Sequence, residues 1–70
     1  MEILVFRTNI LEKSDIEQVR QYFGDHDILN WHVDIEDIDK VLRVEAKSNI
    51  TVKIENLVKR AGYWCTELDN

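Results

Sequence analysis

Seventy residues, 44% of them hydrophobic, with 14 acidic against 9 basic side chains, describe a folded acidic chain of one domain's length. A chain this short buries only about 60% of its unfolded surface, so a small margin of stability is expected. The net charge of −5 argues against non-specific binding to nucleic acid, which depends on cations that release counterions. No apolar run reaches the roughly 20 residues of a membrane span, and no signal-peptide pattern is present. Cys65 is alone, so no internal disulfide forms, and a cytoplasmic setting with reduced thiols is expected. Without proline or a low-complexity run there is no linker, and residues 1–70 read as a single domain.

Glu2 to Thr8 reads as a strand, apolar on both faces at Ile3-Leu4-Val5-Phe6. A polar loop runs to Ser14, where Ser14-Asp15-Ile16-Glu17 has the form of a capping box. Ile16, Val19, Tyr22 and Phe23 follow at helical spacing, and Gly24 suits a left-handed helix end. Ile28 to Ile35 alternates, with Leu29, Trp31, Val33 and Ile35 on one face. Residues 36–40 form a turn, and Val41 to Ala46 alternates again, with Leu42, Val44 and Ala46 inward. Ser48 or Asn49 can cap a second helix whose apolar stripe is Ile50, Ile54, Leu57, Val58 and Ala61. Gly62 ends it, and Trp64 to Leu68 is the last strand.

The order β-α-β-β-α-β predicts an α+β, ferredoxin-like sandwich. Its sheet has four antiparallel strands in order 4-1-3-2, with both helices on one face. One apolar and one polar face on the second and third strands is what a sheet covered on one side requires.

Within that order, Val33-Asp34 before the acidic turn and Ala61-Gly62-Tyr63 before the last strand resemble the heavy-metal-associated domain. That resemblance implies a metal loop of the form Met-x-Cys-x-x-Cys after the first strand. An ungapped alignment puts Arg7 at the methionine position, Asn9 at the first cysteine and Glu12 at the second. Soft cations such as Cu(I) need thiolate or thioether ligands, which an amide and a carboxylate replace poorly. The resemblance therefore implies the fold without its metal site, no cofactor, and Cys65 as a packing thiol. An ACT-like ligand-binding module has the same element order. Such modules bind at glycine-bearing loops, whereas Gly24 and Gly62 are accounted for as helix ends.

Other chemistry is sparse. His32 and Cys65 fall on opposite edge strands, roughly 14 Å apart at three strand spacings, and His26 lies at the other pole from the metal loop. Metal ligands must lie much closer together. No nucleophile sits beside a base and no phosphate loop or HExxH is present, so no catalytic activity is expected. Glu12, Glu36, Asp37 and Asp39 come from loops at one end of the fold and could bind a hard cation or dock a basic partner; as a run of charges they also suit a solvated turn. Trp31 belongs to the core or its margin. If Ile3 and Val5 face the helices, as the alignment suggests, Leu4, Phe6 and Trp64 form an apolar patch on the open sheet face, suited to a protein partner or a second copy. The alternative places Leu4 and Phe6 in the core with Ile3 and Val5 outward. The expected function is a small non-catalytic interaction or regulatory module. Metal trafficking through a non-cysteine site, or small-ligand binding, is the alternative.

Overall fold

The computed structural model describes residues 1–68. The elements are β1 (Glu2–Thr8), α1 (Lys13–Arg20), β2 (Ile28–Asp34), β3 (Val41–Ala46), α2 (Thr51–Arg60) and β4 (Cys65–Glu67). The four strands form one antiparallel sheet in the order β2-β3-β1-β4, which is 4-1-3-2 read from the other edge. The expected fold class and topology are therefore observed.

The face of β1 is settled by its pairing. Leu4 lies opposite Val44 and Phe6 opposite Leu42. Directly opposed residues of an antiparallel pair share a face, and both β3 partners are fully buried, so Leu4 and Phe6 turn inward with them. Phe6 is 0% and Leu4 5% exposed, whereas Ile3 is 40% exposed. The predicted open-face patch of Leu4, Phe6 and Trp64 is thus incorrect in its first two members. Trp64 alone stays exposed, with the Arg7 guanidinium 5.9 Å from its ring centroid. The core is built from Leu4, Phe6, Ile10, Val19, Phe23, Val33, Leu42, Val44, Ala46, Ile54 and Val58.

Three local features differ from expectation. Glu12, not Ser14, is the N-cap of α1: its side chain accepts from the Asp15 N–H, and Asp15 returns a bond to the Glu12 N–H. Ser14 is already helical, and its hydroxyl donates to Glu12 Oε1 at 2.8 Å. The chain leaves α1 through Gln21 in right-handed geometry, and Gly24 has no positive φ; only Gly62, at φ 98°, takes the left-handed helix-ending role. In β2 the register shifts between Ile28 and Asn30, so Leu29 is extra to the pairing and turns out, 50% exposed. Ile28 packs against the core in its place, beside the half-buried Trp31, whose ring meets Phe23 edge-on at 5.0 Å.

On α2, Asn49 is the residue that caps. Its side-chain oxygen accepts from the Thr51 N–H at 3.1 Å and the Thr51 hydroxyl at 2.7 Å, although Ile50 occupies the N-cap position. Ile54 and Val58 are fully buried, while Ile50, Leu57 and Ala61 pack at the margin.

Candidate functional site

The strand order brings three connections to one pole: the loop between β1 and α1, the turn between β2 and β3, and the Gly62-Tyr63-Trp64 corner. All three are fixed by hydrogen bonds. Thr8, buried at the end of β1, donates its N–H to Asp39 O at 3.1 Å and its hydroxyl to Lys40 O at 2.6 Å. The same hydroxyl oxygen accepts the Ile10 N–H at 3.1 Å, which turns the chain so that Ile10 enters the core. Asn9 Oδ1 accepts the Trp64 N–H at 2.9 Å and joins the loop to the corner.

Asp15 joins the same two connections from the helix side. Its Oδ2 accepts the N–H groups of Leu11 (3.0 Å) and Glu12 (3.2 Å), while Oδ1 accepts the Tyr63 hydroxyl at 2.6 Å. The Tyr63 bond, then the Leu11 amide, hold the Asp15 carboxyl below its ordinary value, and the same contact raises Tyr63 above its own. Asp15 and Tyr63 were not singled out as site residues from sequence. The available signal is Glu12-x-x-Asp15, a capping pair two residues before Ser14-x-x-Glu17, with Tyr63 beside the helix-ending glycine.

The predicted positions are not gathered into one site. Arg7 lies on the open sheet face over Trp64, Asn9 is committed to the Trp64 amide, and Glu12 turns back into its own helix. In the β2–β3 turn, Asp34 Oδ1 accepts the Glu36 and Asp37 N–H groups, and Asp37 Oδ1 accepts the Asp39 N–H. Glu12, Glu36, Asp37 and Asp39 share the pole, but among the described residues no three His, Cys, Asp or Glu side chains converge to hold a metal ion. A hard-cation cage at the acidic turn is therefore not assembled. His32 and Cys65 lie on opposite edge strands, β2 and β4.

At the level of sequence, no family model and no curated protein matches the chain. Its structure does find likenesses. The first domain of the human copper chaperone for SOD1, in its copper(I)-loaded form, superposes with a TM-score of 0.75 at 18% identity, over 93% of this chain and 89% of that one. The yeast copper transporter domain Ccc2a gives 0.79 at 10% identity, over 99% and 97%. The N-terminal domain of PacS from Synechocystis gives 0.78 at 11%, over 99% and 100%. The chain has the heavy-metal-associated domain fold. Identities this low carry the fold alone.

The donor set at the loop of this heavy-metal-associated fold is a poor match for Cu(I). Asn9 offers an amide and Glu12 a carboxylate, both hard oxygen donors already engaged. Cys65 pairs with Thr8 across β1 and β4, but its side chain packs against the core. Burial, with Glu55 nearby, pushes its thiol up to about 12, so the thiolate that a soft metal needs is costly to form there. Among the described residues, no helix is long and apolar enough to cross a membrane.

Proposed function

We propose that this chain is a non-catalytic interaction module that uses the heavy-metal-associated fold as a scaffold and holds no soft metal at the β1–α1 loop. The observation that carries this reading is how the loop's side chains are engaged. Asn9 accepts from Trp64, Glu12 and Asp15 cap α1, and Asp15 accepts from Tyr63. These bonds tie the loop to the Gly62-Tyr63-Trp64 corner and to its own helix through its own side chains. The same pole exposes large apolar side chains from all three connections: Leu11 at 65%, Ile38 at 92% and Trp64 at 47%. Apolar groups held out by a rigid backbone suit partner docking, because little freedom is left to lose on binding.

The test is to titrate the reduced protein with Cu(I), Zn(II) and Ca(II) while following its amide resonances. The expected result is no saturable, stoichiometric shift at residues 9–12. Tight shifts centred there would overturn the proposal. They would favour metal trafficking through a non-cysteine site.

A further inference from the structure

The β2–β3 turn is a projection braced by hydrogen bonds of its own. Lys40, at φ 51°, closes it with its Nζ donating to Ile35 O at 2.7 Å. The Asp34 and Asp37 carboxylates hold its amides, and Thr8 anchors its end to β1 through Asp39 O and Lys40 O. Ile38 stands at the tip with almost no contact to its own chain. Glu36, Asp37 and Asp39 flank it along the chain, so the projection is an isoleucine in an acidic collar of sequence.

Elsewhere on the surface a groove of about 430 Å³ runs along α2, lined by Asp25, Val52, Lys53, Asn56, Leu57 and Arg60. Val52 and Leu57 are its apolar side chains. Val52 is 69% exposed. Lys53 bridges to Asp25 at 2.6 Å and Asp27 at 3.4 Å, which fixes one side of the groove. Arg60 has no ion pair among the described residues, and Lys59 adjoins it. Within an acidic chain this end of α2 is locally basic. The groove thus joins two apolar side chains to Arg60, a cation with no ion pair among the described residues, while the Asp25 carboxylate on its edge is neutralised by Lys53.

We propose that the Ile38 turn of one copy docks in the α2 groove of another. Ile38 lies against Val52 and Leu57, and the acidic collar faces Arg60 and Lys59. The interaction reading above concerns partners in general; this proposal rests on it and names a second copy as the occupant. The two copies each carry −5, but at physiological ionic strength the Debye length of about 8 Å leaves the local charges to decide. The contact joins two different surfaces, so every docked pair still offers one free turn and one free groove. Growth is open-ended unless the rotation closes a ring. The area is small, so association is weak and depends on concentration.

Sedimentation velocity over a wide concentration range, with two variants, tests this. Ile38→Asn removes the projection and Arg60→Glu reverses the groove; both residues are exposed, so both variants fold. The wild-type average mass should rise with concentration past that of a dimer. Each variant alone should associate about tenfold more weakly. Mixed together, they should recover pairing, because the Arg60→Glu protein retains the turn and the Ile38→Asn protein retains the groove, and they should stop at the dimer. A wild type that stays monomeric at millimolar concentration overturns the proposal. So does association that survives in both variants, or a mixture that fails to pair. None of these outcomes bears on the metal titration, so the two readings fail separately.

Discussion

The rotational setting of α2 can be tested by two substitutions three residues apart. Ile54 is 0% exposed at the centre of the core, whereas Leu57 lies at its margin. Replacing Ile54 by Ala removes three carbon groups at about 0.8 kcal/mol each, or about 2.4 kcal/mol of transfer free energy. A residual cavity of roughly 60 Å³ at about 24 cal/mol per Å³ adds about 1.4 kcal/mol. The sum, about 4 kcal/mol, is comparable to the roughly 3–5 kcal/mol that a domain of this size commands. Ile54→Ala is therefore expected to be largely unfolded at 25 °C. The graded substitution Ile54→Val should cost about 1 kcal/mol and remain measurable. Leu57→Ala removes the same number of carbons from a side chain already half in water, beside an open groove, so about 1–2 kcal/mol is expected. Urea denaturation followed by circular dichroism at 222 nm gives the values for Ile54→Val and Leu57→Ala, and the signal without urea gives the folded fraction of Ile54→Ala. If Leu57→Ala destabilises as much as Ile54→Ala, the helix is rotated from the position described and the groove along it does not exist as drawn.

The Tyr63–Asp15 bond should be visible by titration. Because the folded carboxyl of Asp15 is depressed, its contribution to stability is fully present above the unfolded carboxylate value and is lost as pH falls through the folded value. In Tyr63→Phe the carboxyl carbon of Asp15, followed by NMR, should titrate at a higher pH than in the wild type; an unchanged midpoint would show that the tyrosine bond is not what lowers it. Cys65, with its thiol pushed up to about 12, should resist an aromatic disulfide reagent at pH 8 in the folded protein and react promptly in denaturant. Equal rates in the two states would place the side chain outside the core.

The sequence by itself determined the element order, the strand order and most of the core. Leu42, Val44 and Ala46 alternate with charged or polar residues, and period-two alternation leaves one choice of face for β3. Ile54 and Val58 were legible on the same grounds at helical spacing. The absence of cysteine from the first loop was also plain in the sequence, which is why the chemistry of the loop could be narrowed before its geometry was known. What sequence could not decide was β1, where Ile3-Leu4-Val5-Phe6 is apolar on both faces and either face could turn inward. Only the register against β3, with Leu4 opposite Val44 and Phe6 opposite Leu42, removed that degeneracy. The bulge at Leu29 escaped because an inserted residue breaks the alternation that local reasoning assumes. Local pattern leaves the α1 cap undecided, since Ser14-x-x-Glu17 and Glu12-x-x-Asp15 both have the spacing of a box. The deciding contact, Tyr63 to Asp15, spans 48 positions of chain. A bond of that range depends on where the folded sheet brings its loops together, which no local pattern encodes.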